Sequence, residues 1–377
     1  MDLGKSVAKQ NEIVLRLAKH VIATTTTAGK TSNLVFSPAL IHVILSFMAA
    51  RYPGDTEDQI LSLLQASSTD ELNAVSSKIV TAVLADSTAS GGPMISAANG
   101  VWVDKSLTVE LSFKDLLENS YKAAFNQVDF RTKAGEVTEE VNSWVEKQTN
   151  GLITDLLSPK SVSPLTVLIF ASALFFNGKW DKQFNPSLTE DSDFHLLDGT
   201  KVRVPFMTGD FDQLYLNAYK GFKVLDLAYR EGCDYEEDGR SFSMKIYLPD
   251  EKDGLPAMLE RLASTHGILN DTEDIPSRMV NVRELKIPRF KFAFDFEASK
   301  ALKGLGLDLP EGLKTIIHKS CIEVDEVGSK ADAAAAVVQS NSSKYDFVAD
   351  HPFLFLVKER RTGLVLFLGQ VIDPSMH

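Results

Sequence analysis

Thr315-Ile316-Ile317-His318-Lys319-Ser320-Cys321-Ile322-Glu323-Val324-Asp325-Glu326-Val327-Gly328-Ser329-Lys330-Ala331-Asp332-Ala333-Ala334-Ala335-Ala336-Val337-Val338 is the stretch that decides how this chain is read. Its first half is rich in β-branched residues and partly alternating, as a strand should be. Acidic Asp325 and Glu326 and then Gly328 close that strand. The segment beyond it, from Ser329 through Tyr345, has almost nothing large enough to anchor it to a core. Read as an extended segment, Ser329, Ala331, Ala333, Ala335 and Val337 fall on one face, and Lys330, Asp332, Ala334 and Ala336 on the other. Both charges share one parity. A segment that must enter a crowded sheet needs one small, uncharged face, because an unpaired buried charge is unfavourable. An Ala-rich helix or a plain linker explains the same composition without any function.

Working outward, the 377 residues are 44% hydrophobic and 24% charged, ordinary globular material without a linker or repeat. The net charge of -12 argues against nucleic acid or an anionic membrane as partner, since both reward clusters of Lys and Arg. The opening Met1-Asp2-Leu3-Gly4-Lys5 leads into an amphipathic stretch rather than a secretory signal, so the expectation is a cytoplasmic chain. Two distant cysteines, Cys233 and Cys321, fit a reducing compartment. The apolar runs Leu34–Ala50 and Leu165–Phe176 are too short for a bilayer and read as core. The second of them is apolar on both parities, which predicts a strand covered on two faces.

Helical stripes dominate the first half, at Val7–Thr24, Thr56–Leu64, Thr69–Leu84, Ser112–Tyr121 and Glu136–Thr149. Short strands dominate from Phe194 onward, including Val280–Phe296, which is followed by a helix over Phe296–Leu305. Without βαβα repetition this implies the α+β class. Catalytic motifs are absent: no Gly-x-Ser-x-Gly elbow, no phosphate loop and no His-Glu-x-x-His. Asp234–Gly239 begins like a calcium loop, but its twelfth position is Lys245 where a bidentate Glu is needed, so neither a metal nor another cofactor is expected. His318 and Cys321 are three apart on a strand, hence on opposite faces, which disfavours a thiolate–imidazole pair.

A set of motifs spread along the chain resembles the serpins. They are Asn33-Leu34-Val35-Phe36-Ser37-Pro38, Ala173-Leu174-Phe175-Phe176-Asn177-Gly178-Lys179-Trp180, Pro205-Phe206-Met207, Ile246-Tyr247-Leu248-Pro249, Ile317-His318-Lys319, Glu326–Gly328, His351-Pro352-Phe353 and Phe367-Leu368-Gly369. Ser67–Leu72 and Asp346–Phe353 look most like the plant members. The resemblance implies a single domain over 1–377, with three β-sheets, about nine α-helices and an exposed reactive-centre loop at 328–345. It also implies a monomeric suicide-substrate inhibitor rather than an enzyme: an endopeptidase of the serine or papain-like cysteine class cleaves the loop, which then inserts into the central sheet. Extracellular or apoplastic members of the family make that location an alternative to the cytoplasm.

Carried over residue by residue, the resemblance makes Glu326, Gly328, Ser329, Ala331, Ala333 and Ala335 the hinge. Trp180 and Arg289 stand at the top of the central sheet, with Arg289 the basic partner of Glu326. Ser37, Ser172 and His318 form the polar cluster behind the sheet opening, although the usual second serine there is Leu40 and the usual asparagine is Ser172. Counting from Gly328 puts the reactive bond at Ser342–Ser343, with Ser340, Asn341 and Lys344 as specificity residues. The connection from Leu305 to Ile316 is shorter than the family's, as is the stretch from Ser342 to Asp346. Those departures favour a non-inhibitory binding protein of the same fold as the alternative.

Overall fold

The computed structural model describes residues 2–25, 32–159, 161–209, 211, 213–232, 239–270, 279–309, 316–326 and 345–376. The run that is apolar on both parities becomes β4 (Leu168–Asn177), buried at every residue through Phe176. One of its faces, with Phe170, Leu174 and Phe176, meets the main core. The other, with Ile169, Ala171, Ala173 and Phe175, packs beneath Val137, Val141 and Val145 of α6 (Phe130–Gln148). β4 lies in the middle of a five-stranded sheet, between β12 (Ile316–Val324) and β2 (Met94–Asp104), with β11 (Phe290–Glu297) and β3 (Ala124–Val128) at the edges. Within it β4 and β12 run parallel and pair from Ile316↔Phe170 to Ile322↔Phe176, whereas β2 is antiparallel to β4 and β11 to β12.

The other strands share a ten-stranded sheet in the order β1 (Leu34–Phe36), β15 (Val365–Val371), β14 (Phe353–Glu359), β9 (Phe242–Pro249), β8 (Phe222–Ala228), β7 (Gln213–Tyr219), β10 (Met279–Pro288), β6 (Lys201–Met207), β5 (Glu190–His195). β13 (Tyr345–Val348) lies parallel beside β10. β10 is where two ladders meet: Met279–Asn281 pair with β7, and Ile287 and Pro288 pair with β6. Hydrogen bonding through this one strand therefore merges two of the three implied sheets, leaving two among the described residues. Eight α-helices appear there, against the nine or so implied.

The strand expected over Val280–Phe296 is two strands rather than one. It breaks at Arg289, whose N–H donates to the Pro205 carbonyl (2.9 Å) as the chain crosses from the large sheet to the five-stranded one. β11 continues to Glu297, so the helix after it, α8 (Ser299–Gly304), is shorter than the pattern predicts. Helix α2 (Pro38–Arg51) is buried through Ala49, as a helix apolar on every side must be. Ser37 caps it by accepting from the Leu40 N–H (3.2 Å), and Pro38 occupies the first turn, where no N–H is needed. Among the described residues no helix is long and apolar enough to cross a membrane.

Strand β15 lies between β1 and β14, and at Gly369 the strands approach too closely for a side chain. A Cβ there would meet the Phe355 ring and lie 2.6 Å from the Leu34 carbonyl oxygen. The ring can turn, but the carbonyl belongs to a paired strand and cannot. Gly369→Ala is expected to destabilise by at least about 1–3 kcal/mol, the range for overpacked cores. Urea unfolding of the variant checks this, and an unchanged midpoint would contradict the rigidity of the β1–β15 pairing.

Candidate functional site

The parallel seam between β4 and β12 carries a buried polar cluster. His318 on β12 is fully buried, and its Nε2 accepts the backbone N–H of Ser37 (2.9 Å). A backbone N–H can only donate, so Nε2 is bare and the ring proton sits on Nδ1, 2.8 Å from the Ser172 hydroxyl of β4. The Ser320 hydroxyl, 2.9 Å away, also faces Nε2. One neutral ring thus joins β12, β4 and the start of α2. Burial lowers the His318 pKa to about 3, which agrees with that neutral form. Leu40, at the usual serine position, is fully buried and contributes only its N–H to the Ser37 hydroxyl. Ser320 restores acceptor and donor capacity that Leu40 cannot offer, and nothing in the spacing of the sequence singled it out.

At the upper end of the seam, where β12 ends, Arg289 Nε lies 3.4 Å from Glu326 Oε2. The carboxylate is 6% exposed and the guanidinium side chain 48%. Thr189, also unsignalled in the sequence, donates to Glu326 Oε1 at 2.5 Å. The Trp180 indole N–H donates to the Asp325 carbonyl (2.9 Å), and its ring stacks on Tyr229 at 4.5 Å between centroids. Arg289, Glu326 and Trp180 are thus brought together at the near foot of the segment between β12 and β13. The far foot is held by a forked pair in which Arg283 of β10 grips both oxygens of Asp346 on β13, one of them at 2.8 Å. That hydrogen bonding keeps the Asp346 carboxyl below the usual carboxylate range. The remaining expected hinge residues, Gly328, Ser329, Ala331, Ala333 and Ala335, lie outside the described residues. So do Ser340, Asn341, Ser342, Ser343 and Lys344. Among the described residues no group of three or more His, Cys, Asp or Glu could hold a metal ion.

A family model described as Serpin (serine protease inhibitor) matches residues 8–374. The chain belongs to the serpin family. Serpin-ZX of Arabidopsis thaliana is 53% identical over 99% of this chain and 100% of its own length. Another Arabidopsis relative, named "Probable non-inhibitory serpin-Z5", is 46% identical over 100% of this chain and 86% of its own. Among solved structures, one titled "Structure of Arabidopsis AtSerpin1. Native Stressed Conformation" matches with a TM-score of 0.91 and 52% identity, covering 100% of this chain and 99% of that one. The family is one of protease inhibitors and not of catalysts.

The geometry of this serpin's seam and near foot makes two predictions. Arg289→Gln leaves a nearly buried carboxylate with Thr189 as its hydrogen-bond donor, whereas Glu326→Gln removes the charge and keeps an acceptor for Thr189. The arginine variant should therefore lose more stability, about 1–3 kcal/mol. Thermal unfolding of both variants checks the order, and equal losses would mean that the pair is slack. The second concerns acid. Burial also lowers the pKa of His42 in α2 to about 3, so His42 and His318 both stay unprotonated far below their ordinary 6.5. Through that window the unfolded chain binds more protons than the folded one, and stability falls with pH by up to about 1.4 kcal/mol per unit for each histidine. His318→Gln should shrink the slope measured between about pH 6.5 and 5, above the range of most carboxylates. An unaltered slope there would place the protonation elsewhere.

Proposed function

We propose that this serpin, as one domain over 1–377, inhibits a serine or papain-like cysteine endopeptidase by offering residues 328–345 as a suicide substrate. The observation that carries the reading is the parallel β4–β12 seam. A segment leaving the end of β12 and turning back would lie antiparallel to β12, and therefore antiparallel to β4 as well. Insertion would exchange one parallel contact for two antiparallel ones, which are slightly more stable per residue and add a full set of backbone hydrogen bonds. The inserted strand would meet the main core on one side and the α6 layer on the other. A small, neutral face is what such a place requires, and the parity of Ser329, Ala331, Ala333, Ala335 and Val337 supplies it. The relative whose solved structure is titled as a native stressed conformation, at 52% identity, supports the same reading.

A non-inhibitory role is the second reading, favoured by shortening of the chain. The alignment with Serpin-ZX spans 399 positions against 377 residues here, so at least 22 positions have no counterpart in this chain. Proteases would be incubated with the protein and the products separated in SDS: a covalent complex supports inhibition, and simple loop cleavage supports the second reading. Ala333→Arg should abolish complex formation and leave folding intact, because its charge lands on the face that is buried only after insertion. Undiminished inhibition by that variant would refute the parity argument. The released fragment locates the bond. Ser340, Asn341 and Ser342 suit a protease that prefers small residues, so the fragment should begin at Ser343; a start at Tyr345 would make Lys344 the bait.

A further inference from the structure

Helix α2 is buried through Ala49, yet it carries a histidine in its second turn, His42, 3% exposed. The ring's Nε2 faces the Ser46 hydroxyl at 3.4 Å. That hydroxyl spends its own hydrogen on the main-chain carbonyl of His42 (3.0 Å) and accepts another from Ser76 of α4 (Thr69–Lys78) at 2.9 Å. Toward the ring it can therefore only accept, which puts the imidazole hydrogen on Nε2. Burial lowers the His42 pKa to about 3, so the ring is neutral and its Nδ1 is a bare acceptor. No protein group donates to that buried nitrogen.

Gln10 of α1 (Leu3–Thr25) is in the same position. It is 6% exposed, and its Oε1 is buried without a protein donor. Two acceptors cannot satisfy each other, and these two do not. Both residues line one cavity of about 20 Å³, whose wall is otherwise mostly apolar, with Val14, Leu17 and Leu64 among its groups. Asn11, the third polar residue on that wall, is already engaged, since its amide donates to the Gly363 carbonyl (2.9 Å). Admitting a water takes on the order of 10–15 Å³, so the cavity has room for one molecule.

We propose that this cavity is a binding site for a single water molecule, which donates one hydrogen to Gln10 Oε1 and the other to His42 Nδ1. Water fits on three counts. It brings two hydrogens to two acceptors, it matches the volume, and it is neutral. An ammonium ion would donate as well, but it would bury a charge among neutral groups. The bridge makes His42 tolerable inside a largely apolar helix, because an unmet buried acceptor is destabilising. It also ties α1 to α2 with directed bonds, whereas apolar contact alone is non-directional. The site is independent of whether the chain traps a protease.

Two substitutions and their combination test the bridge. Gln10→Leu and His42→Leu each remove one acceptor and leave the other unmet, so each should lower the folding equilibrium constant, read from urea unfolding, about five- to hundredfold. The double variant leaves neither acceptor and should recover most of that loss. Losses that simply add would overturn the bridge, since acceptors that share no water act independently. Should a variant not fold, high-resolution diffraction from the unaltered protein decides. Density for a water within hydrogen-bond distance of both Gln10 Oε1 and His42 Nδ1 supports the site. A dry cavity, or a Gln10 amide nitrogen turned directly onto Nδ1, overturns it.

Discussion

The His318 ring is the tie on which the five-stranded sheet depends. Two adjacent parallel strands, β12 and β4, share its hydrogen bonds, and the Ser37 amide connects both to the N-terminus of α2, which lies in the main core. Removing its partners would leave buried polar atoms unsatisfied, so the cluster favours this one arrangement over slipped alternatives. A neutral ring suits that role, since an ion in the same place would resist separation from its partner far more strongly where the surroundings offer no water.

The strand β10 and the residue just after it carry the second organising element. Arg283 and Arg289, six residues apart, hold carboxylates on either side of the segment between β12 and β13. The near pair is nearly buried on its acidic side and reinforced by Thr189, whereas the far pair is open to solvent. On the proposed route the near foot must open for a strand to enter, and the far foot must not. The exposed Arg283–Asp346 pair is a weak holder, as surface pairs are.

Burial was the easiest property to read along the chain. An apolar run on both parities could only be a strand covered twice, and β4 is one. The β12 pattern was equally direct. The break at Arg289 was not read, although the apolar parity shifts there, from Leu285 and Ile287 to Phe290 and Phe292, while the partner sheet changes; periodicity reports a face, not a neighbour. Ser320, Thr189 and the Asp325 carbonyl were missed for a related reason. Their partners lie far away in sequence, and a lone hydroxyl or main-chain oxygen leaves no pattern. Family likeness supplied Arg289, Trp180 and His318, which composition would have left among ordinary core and surface residues. The join of two sheets through β10 was hidden as well, since it depends on three residues of one strand pairing differently from the last two.

The seam also explains why opening and filling belong together. Separating β4 from β12 breaks a ladder of seven register pairs and uncovers backbone donors and acceptors on both strands. Those groups lie between the main core and α6, where water is scarce, so an opened and unfilled sheet is unfavourable. A returning strand satisfies both edges at once, because it runs opposite to each. The side-chain cluster makes the first step feasible, since serine hydroxyls and a neutral imidazole can exchange partners without separating charges. A purely apolar seam would present no orphaned side-chain groups on opening, yet it would lack the directional bonds that fix the closed register. A buried ion pair would fix the register but resist parting. The polar, uncharged seam lies between these extremes, which is the compromise that a sheet required to admit one more strand would need.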